Sequence, residues 1–185
     1  MAYLSELNLQ LFYFFHNFAG KNIALDTAIV FFGQYYVFFL IGIAAVFVYK
    51  DYRAGLRGHF TINLLGLCAT LGTTNVVMKT FRYVYHHPRP FAALNIAHLL
   101  TEPTYSFPSG HTILIFGLAT GMYFYNKKLA LFLYASGVVV GVARIAAGVH
   151  YPFDILGGIV LGILTGFVVE WACRKYLFKK YMGKK

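Results

Sequence analysis

Three titratable side chains, those of His150, Asp154 and His111, stand at spacings that suit nucleophilic catalysis. Residues four apart share one face of a helix, so Asp154 can accept the proton-bearing ring nitrogen of His150. The other nitrogen would then point at a substrate, as it does in catalytic triads. We expect a neutral His150 to be the nucleophile, Asp154 to orient it, and a protonated His111 to be the general acid.

The residues around these histidines predict a site for a phosphate group. Arg82, Arg89 and Arg144 carry planar guanidinium groups that match phosphate oxygens and stay charged at any working pH. Ser109 and Gly110 precede an apolar segment, where a hydroxyl and accessible N–H groups would stand at a helix start that favours an anion. Because the arginines can neutralise a transferring phosphoryl group, we expect no metal ion and no other cofactor.

Long apolar segments predict the elements that position this site. A hydrocarbon core of about 30 Å takes roughly 20 helical residues to cross. The candidate spans cover residues 27–49, 60–81, 112–125, 129–147 and 153–173, and the third is the shortest. The stretch 4–18 is amphipathic and too short to span, which favours a helix lying in the membrane interface.

We therefore predict an all-α fold, an integral-membrane bundle of five transmembrane helices forming one domain over residues 1–185. An interfacial helix lies within residues 1–20, and residues 174–185 form a basic tail. A stripe of glycines at 158, 162 and 166 predicts close helix packing, for which we favour a contact within the bundle over a homodimer face, and it fixes no oligomeric state.

Composition supports a membrane protein. Hydrophobic residues make up 59% of the sequence and charged residues 12%, whereas soluble domains carry about 25% charged residues. The net charge of +10 comes mostly from residues at the ends of apolar runs, where anionic headgroups lie. We expect membrane lipid, and not nucleic acid, to be the partner of these charges.

The basic residues also predict an orientation. Those at 50, 53 and 57, at 127 and 128, and in the tail all fall on one side of a five-span bundle. Because short cytoplasmic loops are enriched in Lys and Arg, we expect this side and the C-terminus to be cytoplasmic. The candidate site would then face the outside of the plasma membrane.

Together the three polar clusters resemble the signature of the type 2 phosphatidic acid phosphatase (PAP2) superfamily. The family pattern has a basic residue, six residues and Arg-Pro; then Pro-Ser-Gly-His; then Ser-Arg, five residues, His, three residues and Asp. Here the first motif is Arg82 with Arg89-Pro90, the second is 108–111, and the third is Arg144, His150 and Asp154. The resemblance implies a bundle of transmembrane helices with its site at the extracytoplasmic end.

Two positions depart from the family pattern. Arg82 stands where the family usually has Lys, and Lys79, one turn earlier, could share or take over its role in binding phosphate. Ala143 stands where the family usually has Ser, which removes one hydroxyl from the expected phosphate site.

The resemblance implies hydrolysis of a lipid phosphate or diphosphate through a phosphohistidine intermediate, and undecaprenyl diphosphate is the leading candidate substrate. Lipid A 1-phosphate, phosphatidylglycerophosphate and phosphatidate are alternatives, as is phosphotransfer to a second lipid. A transporter that uses the arginines only to hold anionic headgroups is the non-enzyme alternative. Many transporters show repeated halves, and no such repeat is seen in this sequence.

Overall fold

The computed structural model describes residues 2–102 and 105–178, and within these residues the secondary structure is entirely helical. The helices are α1 (Ala2–His16), α2 (Ile23–Arg53), α3 (Arg57–Val84), α4 (Pro90–Leu94), α5 (Gly110–Tyr123), α6 (Lys127–Ala146) and α7 (Pro152–Cys173). The prediction of an all-α fold is confirmed. The predicted tail at 174–185 begins as a π-helical turn, Arg174–Phe178, that extends α7, and its residues 179–185 lie outside the described part of the chain.

Among the described residues, four helices are long and apolar enough to cross a membrane: α2, α3, α6 and α7. They match the predicted spans 27–49, 60–81, 129–147 and 153–173. The fifth predicted span, 112–125, is the helix α5, but it has 14 residues and so a length of about 21 Å. Helix α5 packs against α3, α6 and α7 and is mostly buried, so protein surrounds most of it. The prediction of a membrane-embedded helical bundle is therefore confirmed, and the count of full-length spans differs from it only at α5, the span predicted to be the shortest.

The predicted glycine stripe brings α7 against α5. A Cβ atom added to Gly162 would lie 2.6 Å from the carbonyl oxygen of Ile113, and one added to Gly166 would collide with the carbonyl oxygen of Gly117. Backbone therefore packs directly on backbone, as small residues allow. At the end of this contact the Ser109 N–H donates to the Asp154 carbonyl oxygen at 3.2 Å, which places the starts of α5 and α7 side by side.

Helix α1 packs on the same end of the bundle. Phe12 is fully buried and contacts Tyr151 at the start of α7. The Asn8 side-chain oxygen accepts the Phe153 N–H at 3.0 Å, and this N–H belongs to the first turn of α7, where helical partners are lacking. The helix predicted over 4–18 is confirmed with bounds Ala2–His16. Its aromatic side chains Tyr3 and Phe14 are exposed, which is consistent with a helix in the membrane interface. The interfacial placement itself stays a prediction.

Candidate active site

The three sequence clusters meet at one end of the bundle. Arg82 lies in the last turn of α3, and Arg89 is the residue directly before α4. Ser109 directly precedes α5, and Arg144 lies in the last turn of α6. His150 lies in the turn between α6 and α7. Residues that are up to 68 positions apart in the sequence are therefore neighbours in space.

A sharp turn between α6 and α7 presents His150 to this group. Gly148 ends α6 with a φ of +81°, a left-handed conformation that glycine adopts without steric cost. Pro152 begins α7, where its missing N–H costs no hydrogen bond. The Asp154 carboxylate accepts the Tyr151 N–H at 2.7 Å and so caps the helix that carries it. The sequence between Gly148 and Asp154 thus determines where the His150 ring lies.

His150 is fully buried, and its two ring nitrogens face different partners. Nε2 lies 3.3 Å from Nη1 of Arg89 and 3.5 Å from Nη2 of Arg144. Because guanidinium groups only donate, Nε2 is the unprotonated nitrogen and the proton is on Nδ1. Nδ1 lies 3.5 Å from Oδ2 of Asp154, as the four-residue spacing predicts, although this exceeds an ordinary hydrogen-bond length of about 3 Å.

Burial of the imidazole lowers the pKa of His150 well below its ordinary value, and the neighbouring charges of Arg144 and Arg89 lower this pKa further. Both effects disfavour the protonated ring. The His150 side chain is therefore neutral at physiological pH, which leaves the Nε2 lone pair available for attack.

Arg144 is 1% exposed, and its guanidinium group donates hydrogen bonds to three residues. Its Nη1 donates to the Gly33 carbonyl oxygen at 3.2 Å and to the Gln34 side-chain oxygen at 3.0 Å, and its Nη2 bonds the Glu102 carboxylate. Gly33 and Gln34 belong to a π-helical segment of α2, Phe31–Tyr35, of a kind often found at functional sites. A polar residue within a predicted span, Gln34, was the sequence feature that could have indicated its contact with Arg144.

Arg89 and Arg82 complete the basic group. Arg89 is 2% exposed, and its Nη1 donates to the Val149 carbonyl oxygen at 2.8 Å. Burial lowers the pKa of Arg89 to about 10, against the opposing charge of Glu102, so this side chain stays positive at neutral pH. The Nη2 atom of Arg82 donates to the Pro108 carbonyl oxygen at 3.3 Å, which ties α3 to the Pro-Ser-Gly-His motif.

A cavity of about 280 Å³ opens beside this group. Its polar wall contains Arg82, Arg144, Gly110 and His111, and its apolar wall includes Phe38 of α2. The predicted general acid and three predicted phosphate ligands therefore line one cavity. A charged group and an apolar chain can both be accommodated there.

The remaining predicted residues lie beside the cavity or away from it. Ser109 is fully buried, and its hydroxyl oxygen accepts a hydrogen bond from the Thr112 hydroxyl at 3.0 Å. Lys79 is exposed and is not among the described residues that line the cavity, so the structure does not bring it into the site. Arg82 reaches the cavity where Lys79 does not.

Glu102 is the residue of this site that the sequence analysis missed. Its Oε1 lies 2.5 Å from Nη2 of Arg144, and its Oε2 lies 3.7 Å from Nη2 of Arg89. Burial acts to raise the pKa of Glu102, but the charges of Arg144 and Arg89 outweigh it, so the pKa is lower than usual. The sequence has six acidic residues, and one of them within the connection that carries Arg89 was the available signal.

His87 lies beside Asp154 at this site. Its Nδ1 is 2.8 Å from the Ser106 hydroxyl and 3.8 Å from Oδ1 of Asp154, on the side of the carboxylate away from His150. Within residues 2–102 and 105–178, no group of three or more His, Cys, Asp or Glu side chains is arranged to hold a metal ion.

Comparison with known proteins identifies the family. The model of the PAP2 superfamily matches residues 63–178, which include every predicted site residue. Undecaprenyl-diphosphatase BcrC of Bacillus subtilis is 30% identical over 88% of this chain and 82% of its own length. A protein of Bacillus licheniformis named bacitracin transport permease protein BcrC is 29% identical over 94% of this chain and 84% of its own length.

A solved structure agrees with the sequence relationship. The crystal structure of Aquifex aeolicus LpxE superposes with a TM-score of 0.68 and 27% sequence identity, and the match covers 88% of this chain and 94% of that one. Sequence, fold and the arrangement of the three motifs thus agree, and the chain belongs to the PAP2 superfamily and is a multi-pass membrane phosphatase.

Proposed function

We propose that this protein hydrolyses undecaprenyl diphosphate to undecaprenyl phosphate and inorganic phosphate through a phosphohistidine on His150. The observation that carries the mechanism is the contact of His150 Nε2 with both Arg89 and Arg144. A phosphoryl group bound by these arginines would lie within reach of the attacking nitrogen. The choice of lipid draws on the similarity to undecaprenyl-diphosphatase BcrC.

In the first step, oxygens of the terminal phosphoryl group bind to Arg82, Arg89 and Arg144. The Nε2 lone pair of His150 forms a bond to phosphorus as the bond from phosphorus to the bridging oxygen breaks. The pKa of His111 is lowered to about 4 in the empty site by burial and by the charge of Arg144, so its ring takes up a proton as the negative substrate binds. His111 then donates this proton to the bridging oxygen, and undecaprenyl phosphate leaves. The guanidinium groups stabilise the charge on the equatorial oxygens throughout the transfer.

In the second step, neutral His111 takes a proton from water. The water oxygen forms a bond to phosphorus while the N–P bond breaks, and inorganic phosphate and neutral His150 result. Asp154 stabilises the positive charge that His150 carries as the phosphoimidazolium, because its carboxylate faces Nδ1.

The apolar surroundings of the cavity favour a lipid substrate. Phe38, in the cavity wall, also lines a second cavity of about 650 Å³ that runs along α2 through Ile43 and Val46 to Lys50. An apolar tail that leaves the active site beside Phe38 would therefore meet a continuous hydrocarbon surface. A water-soluble phosphate ester has no apolar tail to bury against this surface.

We also propose that the active site faces the outside of the cell. Arg53 and Arg57, which flank the connection from α2 to α3, lie at the end of α3 opposite to Arg82. This end would be cytoplasmic by the positive-inside rule. In a Cys68→Ala background, a membrane-impermeant maleimide should label Tyr83→Cys in intact cells and should label Lys128→Cys only after the cells are permeabilised. The reverse pattern would contradict the proposed orientation.

The activity is tested with the purified protein in detergent and a panel of lipid phosphates. We expect release of inorganic phosphate, with undecaprenyl diphosphate turned over faster than undecaprenyl phosphate, phosphatidate, phosphatidylglycerophosphate or lipid A. If another lipid in the panel were hydrolysed faster, the identity of the substrate would change and the proposed reaction would not. With a ³²P-labelled substrate, transfer of the label to an acceptor lipid would indicate phosphotransfer. Strong inhibition by EDTA would contradict a reaction without a metal ion.

The name of the Bacillus licheniformis relative favours one alternative, a transport permease. A transporter holds its ligand without breaking the phosphate bond and needs two separated compartments to act. Detergent micelles have no such compartments. Phosphate release in detergent would therefore exclude transport as the source of the signal, and its absence together with lipid binding would favour transport.

A further inference from the structure

An acidic side chain lies inside the proposed phosphate site. The Glu102 carboxylate contacts Nη2 of Arg144 through one oxygen and approaches Nη2 of Arg89 through the other, at 2.5 and 3.7 Å. Two oxygens shared between two guanidinium groups are the contacts that two phosphoryl oxygens would make. Glu102 also lines the cavity that contains Arg82 and His111.

The Glu102 carboxylate and a bound phosphoryl group would compete for one nitrogen atom, Nη2 of Arg144. Nη2 of Arg144 contacts both the Glu102 carboxylate and Nε2 of His150, the proposed attacking atom. A phosphoryl group in position for attack must approach this same nitrogen. The carboxylate and the phosphate, both negative, would then stand against each other at one donor, which raises the free energy of any state that holds both.

Burial explains why an anion is needed there when no substrate is bound. Arg144 and Arg89 are 1% and 2% exposed, and buried charges without a counter-charge are costly. Glu102 is 20% exposed, so its carboxylate has access to solvent that the guanidinium groups lack. It can therefore neutralise the arginines while the site is empty and return to water when another anion replaces it.

We propose that Glu102 is a placeholder anion, by which we mean a side chain that occupies the phosphate site until a phosphate displaces it. In the empty enzyme it keeps Arg89 and Arg144 in position. On substrate binding it leaves, so it sets the affinity of the site for phosphate. This inference rests on the proposed function, since it takes these arginines as the phosphate ligands.

The placeholder has a consequence for product release. Inorganic phosphate bound among three arginines would leave slowly if nothing competed for them. Because Glu102 competes for the same donors, it lowers the affinity for the product as well as for the substrate. The effect applies to free phosphate and to lipid phosphate, since both present the same oxygens.

A purely structural role for Glu102 predicts the opposite result. If its only task were to hold the arginines in position, removal of its charge would loosen them and weaken phosphate binding. The placeholder predicts tighter binding, since the apparent dissociation constant falls once a competing occupied state is removed. The direction of the change separates the two roles.

The first test is Glu102→Gln, which removes the charge and keeps the size of the side chain. We expect the inhibition constants of inorganic phosphate and orthovanadate to fall about tenfold. In a His150→Ala background, calorimetry with inorganic phosphate should show the same change without turnover. Glu6→Gln is the matched control, because Glu6 is exposed on α1, bonds only Gln10 among the described contacts, and carries the same charge. Its inhibition constants should equal those of the wild type.

The second test uses the unaltered protein and does not depend on the folding of a variant. Carbodiimide coupling of an amine to Glu102, followed by mass spectrometry, reports how accessible the carboxylate is. Saturating inorganic phosphate should increase labelling of Glu102 and leave that of Glu6 unchanged. Unchanged or reduced labelling, or unchanged or weaker phosphate binding by Glu102→Gln, would overturn the placeholder.

The outcomes also separate this inference from the proposed function. If phosphate binds the wild type and Glu102→Gln leaves its affinity unchanged, only the placeholder fails and the phosphate site stands. If neither protein binds phosphate or vanadate, the arginines are not the phosphate site and both proposals fail. Turnover by the wild type, measured separately, reports on the reaction itself.

Discussion

Nη1 of Arg89 lies 3.3 Å from Nε2 of His150, the ring nitrogen that faces away from Asp154. A guanidinium group offers only hydrogens, so a proton on Nε2 would face another N–H group at this distance. The arrangement therefore favours a neutral ring with its lone pair among the groups proposed to bind phosphate. Arg89 would thus both position the phosphoryl group and keep Nε2 of His150 unprotonated for attack.

The buried, neutral His150 predicts a dependence of stability on pH. Its pKa lies well below the ordinary value of 6.5, so below pH 6.5 the unfolded chain binds a proton that the native ring does not. Stability contributed by this residue is full above pH 6.5 and falls as the pH drops, by up to about 1.4 kcal/mol per pH unit. Thermal unfolding of the detergent-solubilised wild type and of His150→Gln, at pH 7.5 and 5.5, measures this. The variant should lose less stability on acidification, and an equal loss would contradict the pKa direction.

Asp154→Asn tests the orienting role of the carboxylate. An amide cannot supply the negative charge that stabilises the phosphoimidazolium, although it can still accept the Tyr151 N–H through its oxygen. We expect kcat to fall on the order of 10²–10⁴-fold with little change in KM. Steady-state kinetics measures the two constants separately. A rise in KM with kcat preserved would place Asp154 in substrate binding instead.

Arg144→Lys and Arg82→Lys form a matched pair. Arg144 is almost fully buried and donates to Gly33, Gln34 and Glu102 from a planar fork that an ammonium group cannot reproduce. Arg82 donates to the Pro108 carbonyl oxygen at 3.3 Å, and it stands at the position where the family usually has Lys.

We expect Arg144→Lys to lower kcat/KM on the order of 10²-fold or more, and Arg82→Lys to lower it less than about tenfold. Purified variants with matched melting temperatures should be compared on one substrate. Equal losses in the two variants would contradict the distinct roles assigned to the two arginines.

His111→Ala tests the general acid through the leaving group. With a lipid phosphate, whose leaving oxygen needs a proton, kcat should fall about 10²–10⁴-fold. With p-nitrophenyl phosphate, whose phenolate leaves unprotonated, the loss in the first step should be much smaller. Burst kinetics isolates that step, and equal losses with both substrates would exclude His111 as the acid.

Local patterns in the sequence predicted the helices, and they singled out the residues that the structure brings together at one end of the bundle. Apolar runs located α2, α3, α6 and α7, because a helix that faces lipid must be apolar over its length. The spacing of His150 and Asp154 predicted their mutual approach, although His150 lies in the turn before α7 and not on the helix itself.

Other features depend on tertiary contacts that no local pattern carries. The pairing of Glu102 with Arg144 joins a loop to the end of α6, and Arg144 is also bonded to Gly33 and Gln34 of α2. Lys79 stands one turn before Arg82, and that one turn leaves it exposed and outside the cavity lining.

The most direct test of the account is to trap the covalent intermediate. Undecaprenyl diphosphate labelled with ³²P at the terminal phosphoryl group is mixed with the enzyme and quenched within milliseconds under alkaline conditions, in which phosphohistidine survives. The account predicts an acid-labile label on the peptide that contains His150, and no label in His150→Ala. Turnover with no label on that peptide, or a label that persists in His150→Ala, would contradict the account.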